Sequence, residues 1–329
     1  MREKLLITGA SGFVGCHLIE EAIAAGYEVY AAVRPSSNVK HLEPLGIQFT
    51  VLDLNNIDRL KETLEASKIN HIVHAAGMTK GKTQQDYNLV NATFTTNLAL
   101  AARGADIDLK SFLFISSLAA MGPSKNESAI TELDVAAPVT FYGKSKLLAE
   151  QQLAEIDNLP LLGLRPTAVY GPRERDLFLL LQSIQRGVEL YIGRSAQQLS
   201  FVYVQDLAAI TIRALSAKPF TGAYYNISDG NSYDRYAFAE IAKELMHKKT
   251  LQVHVPLPLV KGITGLLESL YKNSKKVSIV NKDKLQELTA SNWTCSIEKA
   301  QRDLGYSPKF NLSKGLKDTI EWYQQNKWL

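Results

Sequence analysis

The chain has 329 residues, 46% of them apolar, which is the composition of an ordinary globular protein with length for one large α/β unit or two closely joined parts. Lys and Arg number 37 against 33 Asp and Glu, and a net charge of +4 is too small and too scattered to suit nucleic acid, although it suits a small anionic ligand. Cys16 and Cys295 are the only cysteines, so no disulfide framework or cysteine metal knuckle can form, and we expect a reducing, cytoplasmic setting, no leader and no membrane span.

The first element is an apolar strand at Lys4–Thr8, short enough to be buried on both faces as parallel sheets require. Gly9, Gly12 and Gly15 follow at once. A helix then shows Leu18, Ile19, Ala22 and Ile23 on one face, ends near Gly26 and leads into a second strand, Val29–Val33. In that setting the first glycine permits a tight turn, the second lets backbone approach a pyrophosphate, and the third lets helix pack on strand. The phosphates would sit on the free N–H groups of the helix. The second strand ends without a carboxylate, in Val33 and Arg34 with Ser36 and Ser37 beyond. A carboxylate there would repel a 2′-phosphate and an arginine would attract it, so the reading is NADP(H) rather than NAD(H).

Ile47–Leu52 reads as a third strand, followed by Asp53, which could accept a hydrogen bond from an adenine amino group or cap the helix starting near Ile57, as its neighbour Asn55 could. His71–Ala75 is the fourth strand, and Ala75, Ala76 and Gly77 leave room at its end for a flat cofactor. His71 and His74 point to opposite faces and do not make a metal pair. Ala76–Thr83, AGMTKGKT, matches a loose phosphate-loop pattern with Lys82 and Thr83 in the key positions, but its first glycine is Ala76 and a phosphate cradle already stands at Gly9–Gly15. Tyr87–Arg103 reads as one helix, with Asn91 either holding water or backbone near the active site or solvated.

Phe112–Ile115 is a fifth strand delivering Ser116 and Ser117. FYGKSK then places Tyr142 and Lys146 four apart at the start of a helix, on one face. A phenol has an ordinary pKa near 10, and a neighbouring ammonium and a positive nicotinamide ring both favour phenolate and lower it. Tyr142 would then exchange a proton with the oxygen of a ketone or alcohol as hydride moves, with Ser117 holding that oxygen and Lys146 also binding ribose hydroxyls. Strand–helix alternation through the first half argues for a doubly wound parallel sheet. VPLPLVKGITGLLESLYK, Val255–Lys272, reads as an amphipathic helix suited to core packing, a lid, a partner or weak membrane contact.

TGASGFVG, Asp53, HAAG, Asn91, FISS and YGKSK together resemble the extended short-chain dehydrogenase/reductases, the NAD(P)-dependent epimerase/dehydratase family. The resemblance runs on through LRPTAVYGP, FVYVQDLA, YNISDG, LGYSP and GLKDTIEWY over nearly the whole chain. It implies a Rossmann-type sheet over residues 1–166, an interleaved substrate-binding part over 167–329, and a homodimer formed through the helices Asp86–Arg103 and Thr140–Glu155. It also implies a catalytic set of Ser117, Tyr142 and Lys146, Ser117 being chosen over Ser116 by its distance from Gly122. Cofactor positions would be Gly9, Ser11, Gly12, Phe13, Val14, Gly15, Arg34, Asp53, Leu54, Ala75, Ala76, Gly77, Asn91, Tyr142, Lys146 and Pro166. No metal is implied.

Departures from the family pattern bear on substrate. Nucleotide-sugar members usually carry asparagine where this chain has Ala168, and an arginine for the diphosphate where it has Leu199 and Ser200; Arg173 or Arg194 could substitute. The pattern is closer to the dihydroflavonol reductase and 3β-hydroxysteroid dehydrogenase branch, which acts on less polar ketones and alcohols. The expected activity is hydride transfer between NADP(H) and a secondary alcohol or ketone. A nucleotide-sugar epimerase or dehydratase is the alternative, and a non-catalytic NADP-binding regulator a remote one.

Overall fold

The computed structural model of the protein describes residues 2–217, 222–271 and 282–329. In chain order the first half comprises β1 (Lys4–Thr8), α1 (Phe13–Ala24), β2 (Glu28–Ala32), β3 (Gln48–Thr50), α2 (Ile57–Ser67), β4 (His71–His74), α3 (Gln84–Asn88), α4 (Phe94–Gly104), β5 (Ser111–Ile115), α5 (Phe141–Ala154) and β6 (Leu161–Pro166). The second half adds β7 (Ala168–Tyr170), α6 (Asp176–Gln185), β8 (Val188–Ile192), β9 (Gln198–Leu199), β10 (Phe201–Tyr203), α7 (Val204–Ala214), β11 (Tyr224–Ile227), β12 (Tyr233–Asp234), α8 (Ala237–Met246) and β13 (Leu251–Val255). It ends with α9 (Leu257–Tyr271), α10 (Lys282–Thr289), β14 (Asn292–Trp293), α11 (Glu298–Leu304) and α12 (Leu312–Gln325).

Seven parallel strands form the main sheet in the order β11-β6-β5-β4-β1-β2-β3, so the fold is a Rossmann-type doubly wound α/β sheet. Period-two alternation builds its two cores. Leu5 and Ile7 of β1 and Leu113 and Ile115 of β5 face one layer with α1, α7 and α11, while Leu6, Phe112 and Phe114 face the other with α2, α4 and α5. Burial on both faces explains the unbroken apolar runs. A third core joins Tyr170, Leu181, Ile184, Tyr203, Phe238 and Ile320 under the second half of the chain. The seventh strand, β11, also comes from that half and lies in register on β6, with Ile227 opposite Pro166.

Three local expectations need correction. The third strand spans only Gln48–Thr50, at the exposed edge of the sheet, where pairing on one side leaves its ends free. The helix expected as one piece over Tyr87–Arg103 is interrupted by a π-helical turn at Leu89–Thr93, which turns Asn91 inward and fully buries it. The cap of α2 is neither Asp53 nor Asn55 but Asn56, whose side chain accepts from the Arg59 N–H at 3.1 Å. Asp53 instead faces the Arg59 guanidinium at 3.5 Å on the surface.

Candidate functional site

The sheet changes winding direction between β1 and β4, and a crevice opens there at the carboxyl ends of the strands. The glycine turn closes one side of it. Gly9 has φ +69°, and a Cβ on it would stand 2.8 Å from the backbone of Ala75 and Ala76; a Cβ on Gly15 would stand 2.2 Å from the Gly9 carbonyl. Neither position admits a side chain unless α1 or β4 moves. Gly12 is different: it is exposed, donates its N–H to Gly9 O at 2.9 Å, and a Cβ there would meet only that oxygen, at 3.1 Å. Its open side looks over the start of α1, whose first-turn N–H groups receive no side-chain cap. Such a cradle fits the phosphates of a dinucleotide. Ser11, Phe13 and Val14 line this same turn, half-buried, while Asp53 lies exposed and Leu54 half-buried just past β3.

Arg34 stands exposed past β2, in a turn tied by its N–H to Ser37 Oγ at 3.2 Å, and among the described residues no carboxylate pairs with it. The loose phosphate-loop match at Ala76–Thr83 is not a phosphate cradle. Gly81 is packed under Met78 and Tyr87, and Thr83 caps the five-residue α3 in a reciprocal box with Asp86.

A buried relay of hydrogen bonds joins the floor of the crevice to α5. Thr8 Oγ1 accepts from Ala76 N (3.1 Å) and bonds His74 Nδ1 (2.8 Å); His74 Nε2 bonds Thr95 Oγ1 (2.9 Å), which donates to Asn91 O (2.8 Å). Because Thr95 spends its proton on Asn91, His74 must carry its own on Nε2. Burial, with Lys146 nearby, pushes the His74 imidazole down to about 3, so it stays neutral. Asn91 then clasps Met78 by both its N–H (2.6 Å) and its carbonyl (2.9 Å), and donates to Ser145 Oγ (2.9 Å), which donates to Tyr142 O (2.7 Å). Of the two roles open to Asn91, holding backbone is the one found. Gly77 completes the shelf: a Cβ there would stand 3.3 Å from Asn91 Oδ1 and 3.4 Å from Lys146 Nζ. His71 bonds Ser111 and Glu3 on the opposite face of β4.

Ser117 follows the end of β5, and Tyr142 and Lys146 stand at the start of α5, which meets that strand end. Thr140 caps α5 by accepting from Gly143 N at 3.0 Å, which sets Tyr142 in the first turn and Lys146 one turn on. The Ser117 hydroxyl accepts from Ala119 N at 3.2 Å and lies close enough to the phenol to act on it electrostatically. Lys146 is buried, donates to Ile115 O at 2.8 Å and lies 4.7 Å over the Phe114 ring. In the protein alone burial outweighs the ammonium: it pushes the Tyr142 phenol up to about 12, with Ser117 opposing and Glu287 adding to the rise, and pulls Lys146 down to about 8, with Glu150 opposing. The ammonium is spent on a carbonyl and desolvation wins over attraction. Pro166 ends β6 beside this group, buried.

Two sets of groups at this site were not singled out from sequence. Ser116, the serine passed over, donates to Glu150 at 2.5 Å, and Glu150 takes a bidentate pair from Arg165 (3.0 and 2.5 Å), with side chains only 4% and 9% exposed. The position of Glu150, four residues beyond Lys146 on the same helix face, was the available signal. Asp283 of α10 accepts from Phe141 N at 2.8 Å and so ties the C-terminal part to the first turn of α5; no local pattern marked it. Of the substitute arginines, Arg173 lies 5.5 Å from the Trp322 ring and Arg194 is exposed, while Ser200 is buried and donates to Asn231 O at 3.0 Å.

Among the described residues no cluster of three His, Cys, Asp or Glu side chains could hold a metal, and no helix is long and apolar enough to cross a membrane. A family model, the NAD dependent epimerase/dehydratase family, matches residues 5–228. The chain is 28% identical over 334 aligned positions to the ceramide reductase of Caulobacter vibrioides, covering all of this chain and 96% of that protein. It is also 28% identical over 347 positions to the UDP-glucose 4-epimerase of Vibrio cholerae, covering 99% and 97%. In fold it is similar to the UDP-glucuronic acid 4-epimerase from Bacillus cereus solved in complex with NAD, with a TM-score of 0.78, 24% identity and coverage of 98% and 99%.

Proposed function

Because the chain belongs to the NAD-dependent epimerase/dehydratase family, we propose that it is an NADP(H)-dependent reductase or dehydrogenase of a secondary alcohol or ketone of low polarity, using Ser117, Tyr142 and Lys146. The observation that supports this reading is that Tyr142 and Lys146 stand one turn apart in the first turns of α5, with Lys146 reaching the end of β5 at Ile115 O and the Gly77 shelf.

The turn at Gly9, Gly12 and Gly15 with the first N–H groups of α1 would hold the pyrophosphate, Asp53 the adenine and Arg34 the 2′-phosphate, with Ala75, Ala76 and Gly77 as the shelf beneath the nicotinamide. The nicotinamide supplies or accepts the hydride. Ser117 holds the substrate oxygen beside the Tyr142 hydroxyl, and in reduction that hydroxyl gives its proton to the oxygen as negative charge develops there. Lys146 favours the phenolate left behind, provided its ammonium turns from Ile115 O toward the phenol and the ribose. Asn91 is a positioning residue, since its bonds run to Met78 and Ser145 rather than into the crevice.

Low substrate polarity is supported by Leu199 and Ser200, which stand where a diphosphate would want an arginine, and by likeness to a ceramide reductase. Equal likeness to a UDP-glucose 4-epimerase keeps a nucleotide-sugar reaction as the second reading. Two copies would pair through the outer faces of α4 and α5, where Leu100 stays exposed. The deciding experiment is thermal melting of the NADP⁺-saturated protein against UDP, GDP, CDP and dTDP. No shift with any of them is expected; a clear shift would establish the nucleotide-sugar reading and name the base.

A further inference from the structure

β8 and β13 form a two-stranded parallel sheet away from the crevice, and its two faces are inverted. In-register partners share a face, so Val188, Leu190 and Ile192 lie beside Leu251, Val253 and Val255 on one side. On the other side Glu189 and Tyr191 lie beside Gln252 and His254. On β8 that polar side is buried at Glu189 and Tyr191, while Gln252 opposite is exposed and His254 half-buried. Glu189 is fully buried, accepting from Tyr191 at 2.7 Å and pairing with Lys243 of α8 at 2.8 Å, and Tyr191 stacks on His254 at 5.3 Å and meets Tyr236 at 4.9 Å. The aliphatic side therefore reaches solvent through Leu190 and Leu251, 59% and 67% exposed, while Val188, Ile192, Val253 and Val255 are half-buried. α9 starts two residues past β13 and carries exposed Leu259 and Ile263.

A charge pattern surrounds the same face. Arg186, Arg194, Lys248, Lys249 and Lys261 are exposed on the segments that build it, against one exposed carboxylate, Glu244, beside Lys248 and Lys249, and one turned inward, Glu189. Aliphatic area of this kind is unfavourable in water, and a rim of long cationic side chains can bury its stems while holding its charges in a headgroup layer.

We propose that this face, centred on Leu190 and Leu251 and rimmed by those five cations, docks the protein on the surface of an anionic lipid bilayer. The docking is peripheral, since no described helix could span. Its purpose follows from the reading that the substrate is a ketone of low polarity: an enzyme seated on the bilayer meets such a molecule where it accumulates.

The test is sedimentation of the full-length protein with vesicles of phosphatidylcholine containing 30% phosphatidylglycerol, and with phosphatidylcholine alone. It reads no turnover, so its outcome is independent of whether the substrate reading holds. We expect co-sedimentation with the anionic vesicles only, falling at least fivefold between 0.1 and 0.5 M NaCl. The double variant Leu190→Gln/Leu251→Gln and the double variant Lys248→Glu/Lys249→Glu should each lose at least fivefold of the bound fraction at an unchanged melting temperature. Protein left in the supernatant at low salt, or variants that bind as the wild type does, would overturn the proposal. So would a dimer in solution that Leu190→Gln/Leu251→Gln dissociates, which would make the face a contact between copies.

Discussion

Glu150→Gln keeps the size and shape of the side chain and removes its charge, leaving the Arg165 guanidinium buried without its counter-ion. The pair is bidentate and its side chains are 4% and 9% exposed. Breaking a pair so enclosed costs about 3–5 kcal/mol. For a chain of this length each kcal/mol moves the melting temperature by about 2 °C, so a fall of roughly 6–10 °C is expected. A second consequence falls on the rate. In the proposed mechanism Lys146 would act as the ammonium, the form held below its pKa of about 8, and Glu150 is the group raising that value against burial. Without the carboxylate the ammonium is lost at lower pH, so the descending limb of kcat/KM for ketone reduction should move from about pH 8 toward neutrality. Scanning calorimetry and a pH profile with a model ketone and NADPH measure the two effects. An unchanged melting temperature would refute the buried pair, and an unmoved limb would refute its action on Lys146.

Tyr142→Phe should abolish reduction while leaving NADPH affinity within a factor of about two, read by cofactor fluorescence; an equal loss of affinity and turnover would make the tyrosine structural. Arg34→Glu should erase at least a tenfold preference for NADPH over NADH, since a charge-assisted hydrogen bond contributes about 1.5–3 kcal/mol; equal affinities in the wild type would remove the assignment. Gly12→Ala and Gly15→Ala should separate cofactor from fold. The first adds a methyl on the open side and should weaken NADPH binding at an unchanged melting temperature, whereas the second drives a methyl to 2.2 Å from Gly9 O and should lower both. Melting curves with and without NADP⁺ distinguish them.

The parts of this molecule that were legible in sequence are those where one residue has one local duty. Gly9 and Gly15 sit where no Cβ fits, the alternating burial of Leu5, Leu6 and Ile7 follows from a sheet covered on both sides, and Tyr142 and Lys146 share a face because a helix turn separates them. Illegible were the duties assigned by distant partners. Nothing near Asp283 says that it will cap Phe141, and nothing near His74 says that it relays between Thr8 and Thr95. The π-helical turn at Asn91 answers to its hold on Met78 and Ser145 rather than to helix periodicity. The lift of the Tyr142 phenol to about 12 comes from its burial, which no local pattern marks, and the Lys146 ammonium that was expected to oppose it is turned to Ile115 O.

The placement of β11 bears on how the protein is made. All six residues of β6 are buried in the finished sheet, yet the strand that covers its outer edge ends only at Ile227. On the ribosome, the first six strands emerge with that apolar edge open until roughly sixty further residues have been added, about 3–12 s at ordinary elongation speeds. Open edges of this kind recruit other chains. The period of greatest exposure to aggregation therefore falls during synthesis, after Pro166 and before Tyr224, and it ends when β11, translated with the third core, closes the main sheet.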